Sequence, residues 1–336
     1  PSGEYLSYVK RSKQANKKRF TVWLIRINEN KHEKLFTFKN INHMTWSGSS
    51  HALLIETSQG IAVAELNKAN RAGSISPKLI AKVNKKQHEA YYGPDQFNNN
   101  FFYIKHRNKQ NKRFELHRYN LKGESQQLFT SHENFDNFYI NRNGKLTLLK
   151  TSDGAIDGTG KSTLLSIIDN TKLPLWQCEY DDPCKPYSYD EHAQTLQLLS
   201  NKNNDKSQLV EVNLVTSQIT ILAEDALKQV DVNSIAYAFY NKKLTPILAS
   251  YYHGYNDTQA IDQSAKTHLQ TIKNHFKHSN IKIKIAKAQS PDHAPWLIQQ
   301  QNSNQPSATF TLYHPRKRTF TSPFNDELSL QRLADN

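Results

Sequence analysis

The chain contains little of what usually marks a membrane protein or a metalloprotein. Its 336 residues include one methionine, two cysteines and 11 glycines, and apolar residues make up only 37% of the total. A membrane-spanning helix needs about 20 consecutive apolar residues, and no such run is present, so we expect no membrane span. The chain opens within a strand pattern, and the sequence predicts no signal segment. The sequence does not decide between a periplasmic and a cytoplasmic location.

The scarcity of thiols also limits metal binding. Cys178 and Cys184 are separated by five residues, and two thiols alone make a poor zinc site. A disulfide between them would close a short loop and would suit an oxidising compartment. Two unpaired thiols on a turn are the alternative, and the sequence does not decide between them. We therefore predict no metal and no cofactor.

Acidic residues are outnumbered by basic ones. The chain has 44 Lys and Arg against 30 Asp and Glu, which gives a formal net charge of +14 and a pI near 9.5. Such a charge attracts nucleic acids and other anionic surfaces. Lysines also solvate hairpin tips and protect edge strands from pairing. Because the lysines are spread over nearly every turn, we predict no nucleic-acid partner.

The histidines, 14 in number, are scattered along the chain. His275 and His278 are three residues apart in a predicted helix, and His43 and His51 flank a predicted hairpin. No third ligand lies near either pair in the sequence, so solvent-exposed histidines are the better interpretation.

The chain does contain a repeated sequence pattern, which consists of an alternating strand, a polar turn and a shorter strand. The copies are Trp23 to Phe36, Val63 to Asn70, Phe114 to Phe129, Leu164 to Trp176, Leu209 to Leu222 and Phe310 to Thr321. The turn residues are Asn28, Asn67, Asn120, Asp169, Asn213 and His314, at intervals of 39, 53, 49, 44 and 101 residues. The last interval is about two periods, so one copy has diverged. A period of about 40 to 50 residues is typical of propeller blades.

Seven such units fill the chain, and we predict an all-β, seven-bladed β-propeller of four-stranded antiparallel blades. One segment, Asp262 to His278, departs from strand periodicity. Ala265, Leu269, Ile272 and Phe276 recur at helical spacing, with Asp262 as a suitable N-cap. The sequence therefore predicts one short helix between the last two blades.

The second half of the chain resembles the N-terminal propeller of prolyl oligopeptidase-type serine peptidases, particularly the acylaminoacyl-peptidase and dipeptidyl-peptidase-like branches. The resemblance rests on the stretch from Val230 to Thr321. Its markers are a Ser-x-Asp turn and a following Tyr-containing strand, matched by Ser290, Asp292, Thr311, Leu312 and Tyr313, with His314 where the family has Asp. The opening residues PSGEYLSYV and Trp46 at the second blade also fit.

The resemblance implies that a catalytic α/β-hydrolase domain accompanies the propeller. Such a domain needs a Gly-x-Ser-x-Gly nucleophile elbow, which this sequence lacks. The nearest string, GSSHA from Gly48 to Ala52, runs into a strand pattern, so Ser50 is predicted to be a hairpin residue. We therefore predict no catalytic residues in this chain. Substrate-binding residues are not identified.

Three other segments have alternative interpretations. The segment from Asp153 to Ser162 suggests a phosphate-binding loop, but the required first glycine is Ala155 and a strand pattern follows, so a hairpin tip is favoured. The acidic group from Glu179 to Pro183 is interpreted as a turn. Tyr251, Tyr252 and Tyr255 could line a cavity or fill a blade.

We accordingly expect a β-propeller over residues 1–321 and, over residues 322–336, a linker towards an α/β-hydrolase domain of the same polypeptide. The predicted function is substrate gating for a serine peptidase that acts on short peptides. The alternative is a stand-alone propeller that serves as a binding scaffold for a protein partner. Continuation of the gene beyond Asn336, for about 200 to 250 residues, would distinguish the two.

Overall fold

The chain folds into antiparallel sheets that form two compact units. The structure is a computed structural model that describes residues 4–324 except 15–16, 30, 48–50, 67–74, 96, 99, 153–160, 169–170, 180, 241–242, 278–279, 287–289 and 302–307. The units are Gly3–Tyr180 and Asp181–Asn336, here called unit one and unit two. Every described sheet is built from strands that are consecutive in sequence.

Unit one contains four sheets, blades one to four. Blade one consists of β1 (Tyr5–Gln14), β2 (Lys17–Arg26) and β3 (Lys31–Phe38). Blade two consists of β4 (His43–Trp46), β5 (Ala52–Glu56), β6 (Gly60–Glu65) and β7 (Lys78–Lys82). Blade three consists of β8 (Ala90–Pro94), β9 (Phe101–Arg107), β10 (Phe114–Asn120) and β11 (Ser125–Ser131). Blade four consists of β12 (Phe135–Ile140), β13 (Leu146–Ser152), β14 (Ser162–Ile168) and β15 (Thr171–Cys178). A short 3-10 helix, Lys85–Gln87, lies between blades two and three.

Unit two contains three sheets and one α-helix. Blade five consists of β16 (Lys185–Asp190), β17 (Thr195–Ser200), β18 (Gln208–Asn213) and β19 (Ile219–Ala223). Blade six consists of β20 (Ser234–Tyr240), β21 (Lys243–Tyr252) and β22 (Asn256–Ala260), and α1 (Gln263–His275) follows it. Blade seven consists of β23 (Asn280–Lys284), β24 (Trp296–Gln301), β25 (Thr309–His314) and β26 (Thr319–Thr321).

The prediction of a seven-bladed β-propeller with one short helix is confirmed. The repeated pattern in the sequence corresponds to the last two strands of blades one, three, four, five and seven, as in β10 and β11 of blade three. In blade two the copy from Val63 to Asn70 covers the end of β6 and ends outside the described residues. The missing copy is blade six, in which β22 leads directly into α1. Five of the blades have four strands, and blades one and six have three described strands each.

The repeated turn residue closes a hairpin through its own side chain. The Oδ1 atom of Asn120 accepts hydrogen bonds from the backbone N–H groups of Lys122 (3.0 Å) and Glu124 (2.9 Å). Asn213 binds the N–H groups of the following turn in the same way, at 3.0 Å. Asparagine is favoured there because its short amide side chain can replace a backbone partner in a tight turn. Asn67 and Asp169 lie outside the described residues.

The core of unit one lies between adjacent sheets. Val22 and Leu24 of β2 are buried against Leu53 and Ile55 of β5, so one face of blade one packs on one face of blade two. Side chains alternate between the two faces of a strand, and the opposite face of blade two buries Leu54 against blade three. Each fully buried Leu or Ile contributes about 1.5 to 3 kcal/mol to folding.

The helix of unit two is amphipathic and packs against two sheets. Asp262 is the N-cap, and its side chain accepts a hydrogen bond from the backbone N–H of Ser264 at 2.8 Å. The predicted face is buried: Ala265 and Ile272 lie in one cluster with Ile247 of blade six. The same cluster includes Ile281, Trp296 and Tyr313 of blade seven. The prediction of the helix and its cap is confirmed.

Candidate functional site

A pocket of about 330 Å³ opens in unit two beside the first turns of α1. Three segments line it: the start of α1, the turn before β24 and the turn between β25 and β26. The lining residues are Ser264, Thr267, His268, Asp292, His293, Pro315, Arg316 and Arg318. The pocket therefore combines two arginines and two histidines with a single carboxylate.

His268 forms the wall of this pocket and is 7% exposed. Its Nε2 atom lies 2.8 Å from Oδ1 of Asp292, and its Nδ1 atom lies 2.8 Å from the hydroxyl of Tyr313. A carboxylate can only accept a hydrogen bond, so Nε2 carries the proton and donates it. In the neutral ring Nδ1 then accepts from the Tyr313 hydroxyl. Burial raises the pKa of Tyr313, which keeps that hydroxyl protonated.

The turn that carries Asp292 is fixed by its neighbours. The indole N–H of Trp296 donates to the carbonyl of Pro291 at 2.9 Å, and Trp296 itself is fully buried. The backbone N–H of Asp292 donates to Oγ of Ser290 at 3.4 Å. The Ser-x-Asp turn and the tyrosine strand therefore both contact His268. His268 was not among the sequence markers that identified the turn and the strand.

The arginines of the pocket lie on the β25–β26 turn. Arg316 and Arg318 are exposed, and Arg318 has a left-handed backbone with φ of 54°. The neighbouring His314, which the sequence predicted as the turn residue, binds Thr321 Oγ1 at 2.8 Å. Burial, together with the charge of Lys317, lowers the pKa of His314. These groups offer hydrogen bonds and positive charge to the pocket.

A second polar cluster lies on one face of blade three, in unit one. The Nε2 atom of His106 lies 2.8 Å from the hydroxyl of Tyr119, and its Nδ1 atom lies 3.5 Å from a carboxylate oxygen of Glu89. His117 lies 3.0 Å from Glu115 on the same face. Burial lowers the pKa of His106, and Glu89 opposes that change. Within the described residues no group of His, Cys, Asp and Glu has the arrangement of a metal site.

A buried lysine joins blades three and four. Lys105 of β9 is 4% exposed, and its Nζ atom donates to Oδ1 of Asn134 and to the carbonyl of Phe135, both at 2.8 Å. The rings of Tyr92, Phe114 and Phe135 surround the ammonium at 5.9, 5.6 and 5.4 Å. These contacts satisfy a buried charge and fix the two sheets to each other.

The two cysteines are disulfide-bonded, and since the chain has only two, they are bonded to each other. Cys178 and Cys184 are both buried. Asp182, in the acidic group of the same segment, accepts from the N–H of Cys184 at 2.8 Å and from the hydroxyl of Ser200 at 2.6 Å. Asp182 therefore holds this segment through its carboxylate, and the sequence left the disulfide undecided.

Other residues that the sequence singled out do not come together. Tyr251 is fully buried and donates to the carbonyl of Glu224 at 2.9 Å, whereas Tyr252 and Tyr255 are exposed by more than half. His43 and His51 are exposed, and His275 stacks on a phenylalanine ring at 3.9 Å.

Several other sequence predictions lie outside the described residues. They concern Ser50, His278, residues 153–160 and the tail from residue 325. Ser162 begins β14, which is the strand expected after the rejected phosphate loop. In the part of the chain that the structure describes, we find no helix with the length and apolar character of a membrane crossing.

Sequence reasoning missed His268, Arg316 and Arg318. His268 could have been recognised, because it follows Ala265 by three residues and precedes Ile272 by four, on the buried face of the helix. The arginines carry no comparable signal, since a basic tip of a hairpin is common in this chain.

No protein-family model and no curated protein sequence matches the chain. Among solved structures, it is similar to the β-propeller domain of the Trilobed protease from Pyrococcus furiosus, which has an open velcro topology. That match has 10% identity and a TM-score of 0.60, and it covers 97% of this chain and 94% of the other.

Two peptidases are similar over nearly the whole chain. The puromycin-hydrolyzing peptidase of Mycobacterium tuberculosis matches at 10% identity with a TM-score of 0.58, covering 96% of this chain and 52% of that protein. The acylaminoacyl peptidase of Pyrococcus horikoshii matches at 10% identity with a TM-score of 0.55, covering 98% of this chain and 52% of that protein. The chain thus spans about half the length of either peptidase. The likeness establishes the fold: the neighbours are β-propeller domains of peptidases of the prolyl oligopeptidase family.

Proposed function

We propose that this chain is the non-catalytic propeller of a prolyl oligopeptidase-type serine peptidase, where it restricts access to short peptides. One observation carries the proposal: 96% and 98% of the chain match 52% of two peptidases. A match to about half of a larger peptidase is what a propeller paired with a catalytic domain would give. The order of the sequence markers, from the Ser-x-Asp turn to the tyrosine strand, supports the same family.

In this proposal the chemistry belongs to an α/β-hydrolase domain. The sequence has no Gly-x-Ser-x-Gly, and that motif is needed because the serine must lie on a strained turn beside oxyanion donors. The propeller would select substrates by size. A short peptide would reach the nucleophile of the hydrolase domain, and a folded protein would not. Gating by exclusion needs no catalytic group in the propeller, and the pocket chemistry described above is consistent with that role.

The test uses the complete product of the gene that encodes these residues. We expect a fluorophosphonate probe, which reacts with activated serines, to label that product, and we expect the labelled serine to lie outside the 336 residues. Mutation of that serine to alanine should abolish both labelling and hydrolysis of short peptides. A complete product that neither reacts with the probe nor hydrolyses peptides would contradict the proposal and would favour a binding scaffold.

A further inference from the structure

The pocket beside α1 contains two cations that no ion pair neutralises. Arg316 and Arg318 both line it, and both are exposed. Among the described residues neither guanidinium is paired with a carboxylate, since the ion pair of Asp292 is with His268. A guanidinium binds a carboxylate or a phosphate through two parallel hydrogen bonds. The pocket therefore offers donors of the kind that an anionic ligand needs.

The turn that carries these arginines is ordered by its own backbone. The N–H of Arg318 donates to the carbonyl of Pro315 at 3.2 Å, and Pro315 is buried. Both guanidinium groups thus extend from a fixed turn. Groups that are already positioned lose less freedom when a ligand binds, so more of the interaction free energy appears as affinity.

Asp292 supplies an acceptor in the same pocket. Its Oδ1 atom accepts from Nε2 of His268 at 2.8 Å, and its Oδ2 atom lies 3.4 Å from Oγ of Ser290. The side chain of Asp292 is nevertheless 48% exposed, whereas that of His268 is 9% exposed. A carboxylate can accept about four hydrogen bonds. Asp292 is therefore held in place by a buried partner and can still accept from a ligand.

The charges of these groups distinguish between classes of ligand. Two guanidinium groups and one carboxylate carry a net charge of +1, because His268 is neutral when it accepts from Tyr313. A phosphate with about two negative charges exceeds that balance and brings no donor for Asp292. A monocarboxylate with an N–H group beside it satisfies the arginines and Asp292 together. A volume of about 330 Å³ suits a small molecule.

We propose that this pocket binds a small molecule in which a carboxylate lies beside an N–H donor, as in a free amino acid or the carboxyl-terminal residue of a short peptide. Arg316 and Arg318 bind the carboxylate, and Asp292 accepts the hydrogen bond from the ammonium or amide nitrogen. His268 acts as a positioning residue for Asp292. Binding here does not depend on the proposed function.

The test is isothermal titration calorimetry of the 336-residue protein near pH 7. Two probes distinguish the sources of the ligand: alanine represents a free amino acid, and alanylalanine represents a peptide terminus. Four controls remove one feature each: alanine amide and alanylalanine amide lack the carboxylate, propionate lacks the N–H donor, and inorganic phosphate is an anion of the other class. We expect alanine or alanylalanine to bind, and the controls to bind at least about tenfold more weakly.

Paired variants of the protein locate the site. Arg316→Gln with Arg318→Gln should weaken binding of the tighter probe by about tenfold or more, because the carboxylate loses both charged partners. Lys282→Gln with Lys284→Gln removes the same charge from exposed positions of β23, in the same unit and outside the pocket. This control pair should leave binding unchanged.

A third variant tests the role of Asp292 separately. Asp292→Asn keeps an oxygen that can accept from His268 and removes the negative charge. Binding of the tighter probe should weaken about fivefold, because a hydrogen bond to a charged acceptor becomes one to a neutral acceptor. Binding of propionate, which has no donor for this side chain, should not weaken.

The proposal is overturned if neither alanine nor alanylalanine binds, or if the amides, propionate or phosphate bind as tightly as they do. Equal losses in the two paired variants would also overturn it, as would an equal loss of probe and propionate binding in Asp292→Asn. These failures would leave the peptidase test unaffected, since that test depends on labelling of a serine elsewhere.

Discussion

The imidazole of His268 and the carboxylate of Asp292 lie 2.8 Å apart. This hydrogen bond joins the only α-helix of the described residues to the turn that precedes β24, and it continues through the second ring nitrogen to Tyr313. Helix and sheet are therefore held by a polar link as well as by the apolar cluster around Trp296.

Replacement of His268 should destabilise the protein. His268→Ala removes two hydrogen bonds and leaves a gap in a buried site, so we expect the free energy of unfolding to fall by about 3 kcal/mol. The measurement is a urea unfolding curve followed by tryptophan fluorescence. Lys266→Ala, at an exposed position of the same helix, should change stability by less than about 0.5 kcal/mol. Similar losses in the two variants would contradict a structural role for the link.

Asp225 should make the free energy of unfolding depend on pH in the acidic range. Burial alone would raise the pKa of Asp225, but N–H groups of the following turn, those of Gln229, Val230 and Leu227, and the neighbouring His253 lower it overall. A carboxylate with a lowered pKa stabilises the fold above its usual value of 3.8, and this contribution is lost as the pH falls through the folded pKa.

The urea midpoint of the wild-type protein should therefore fall more steeply below about pH 4 than that of Asp225→Asn. The matched control is Asp205→Asn, at an exposed carboxylate, which should keep the wild-type slope. Identical pH profiles for Asp225→Asn and the wild type would show that Asp225 does not contribute.

His106 should affect the free energy of unfolding at a higher pH than Asp225 does. Burial lowers the pKa of His106 below its usual 6.5 despite the opposing charge of Glu89. The unfolded chain then binds a proton more readily than the folded one, so stability falls as the pH drops from about 6.5 towards the folded pKa. His106→Phe should reduce this slope, as measured by urea unfolding between pH 7 and pH 5.

The assignment of that slope can be checked directly. Histidine resonances followed by NMR should show His106 titrating below its usual pKa of 6.5. A titration of His106 at or above its usual pKa would contradict the effect of burial.

The turn asparagines should be individually important. Asn120→Ala removes the acceptor of two backbone N–H groups in the β10–β11 turn, and we expect a loss of about 1 kcal/mol. Lys122→Ala, at an exposed position of the same turn, should be close to neutral. The measurement is thermal unfolding followed by circular dichroism. Equal melting temperatures for the two variants would contradict the role of the side chain.

Much of the fold could be predicted because each blade repeats a local physical pattern. The asparagine that closes the final hairpin, as at Asn120 and Asn213, is a short-range signal that one sequence reveals. The helical spacing of Ala265, Leu269 and Ile272 is equally local. The first strand of blade five, Lys185–Asp190, was not recognised, because its polar side chains are partly exposed and give no clear alternation.

The site was harder to predict, because it depends on contacts between distant residues. His268 and Tyr313 are 45 residues apart, and His268 and Asp292 are 24 apart. No local pattern places these three side chains together.

The central claim, that this propeller selects short peptides for a separate catalytic domain, is tested most directly by the dependence of hydrolysis on substrate length. The complete gene product is given a series of peptides that share one cleavable sequence and differ only in length, together with an unfolded protein that contains it. The account predicts rapid hydrolysis of the short peptides and a steep fall in rate as length increases. Hydrolysis of the unfolded protein at the rate of the short peptides would contradict it.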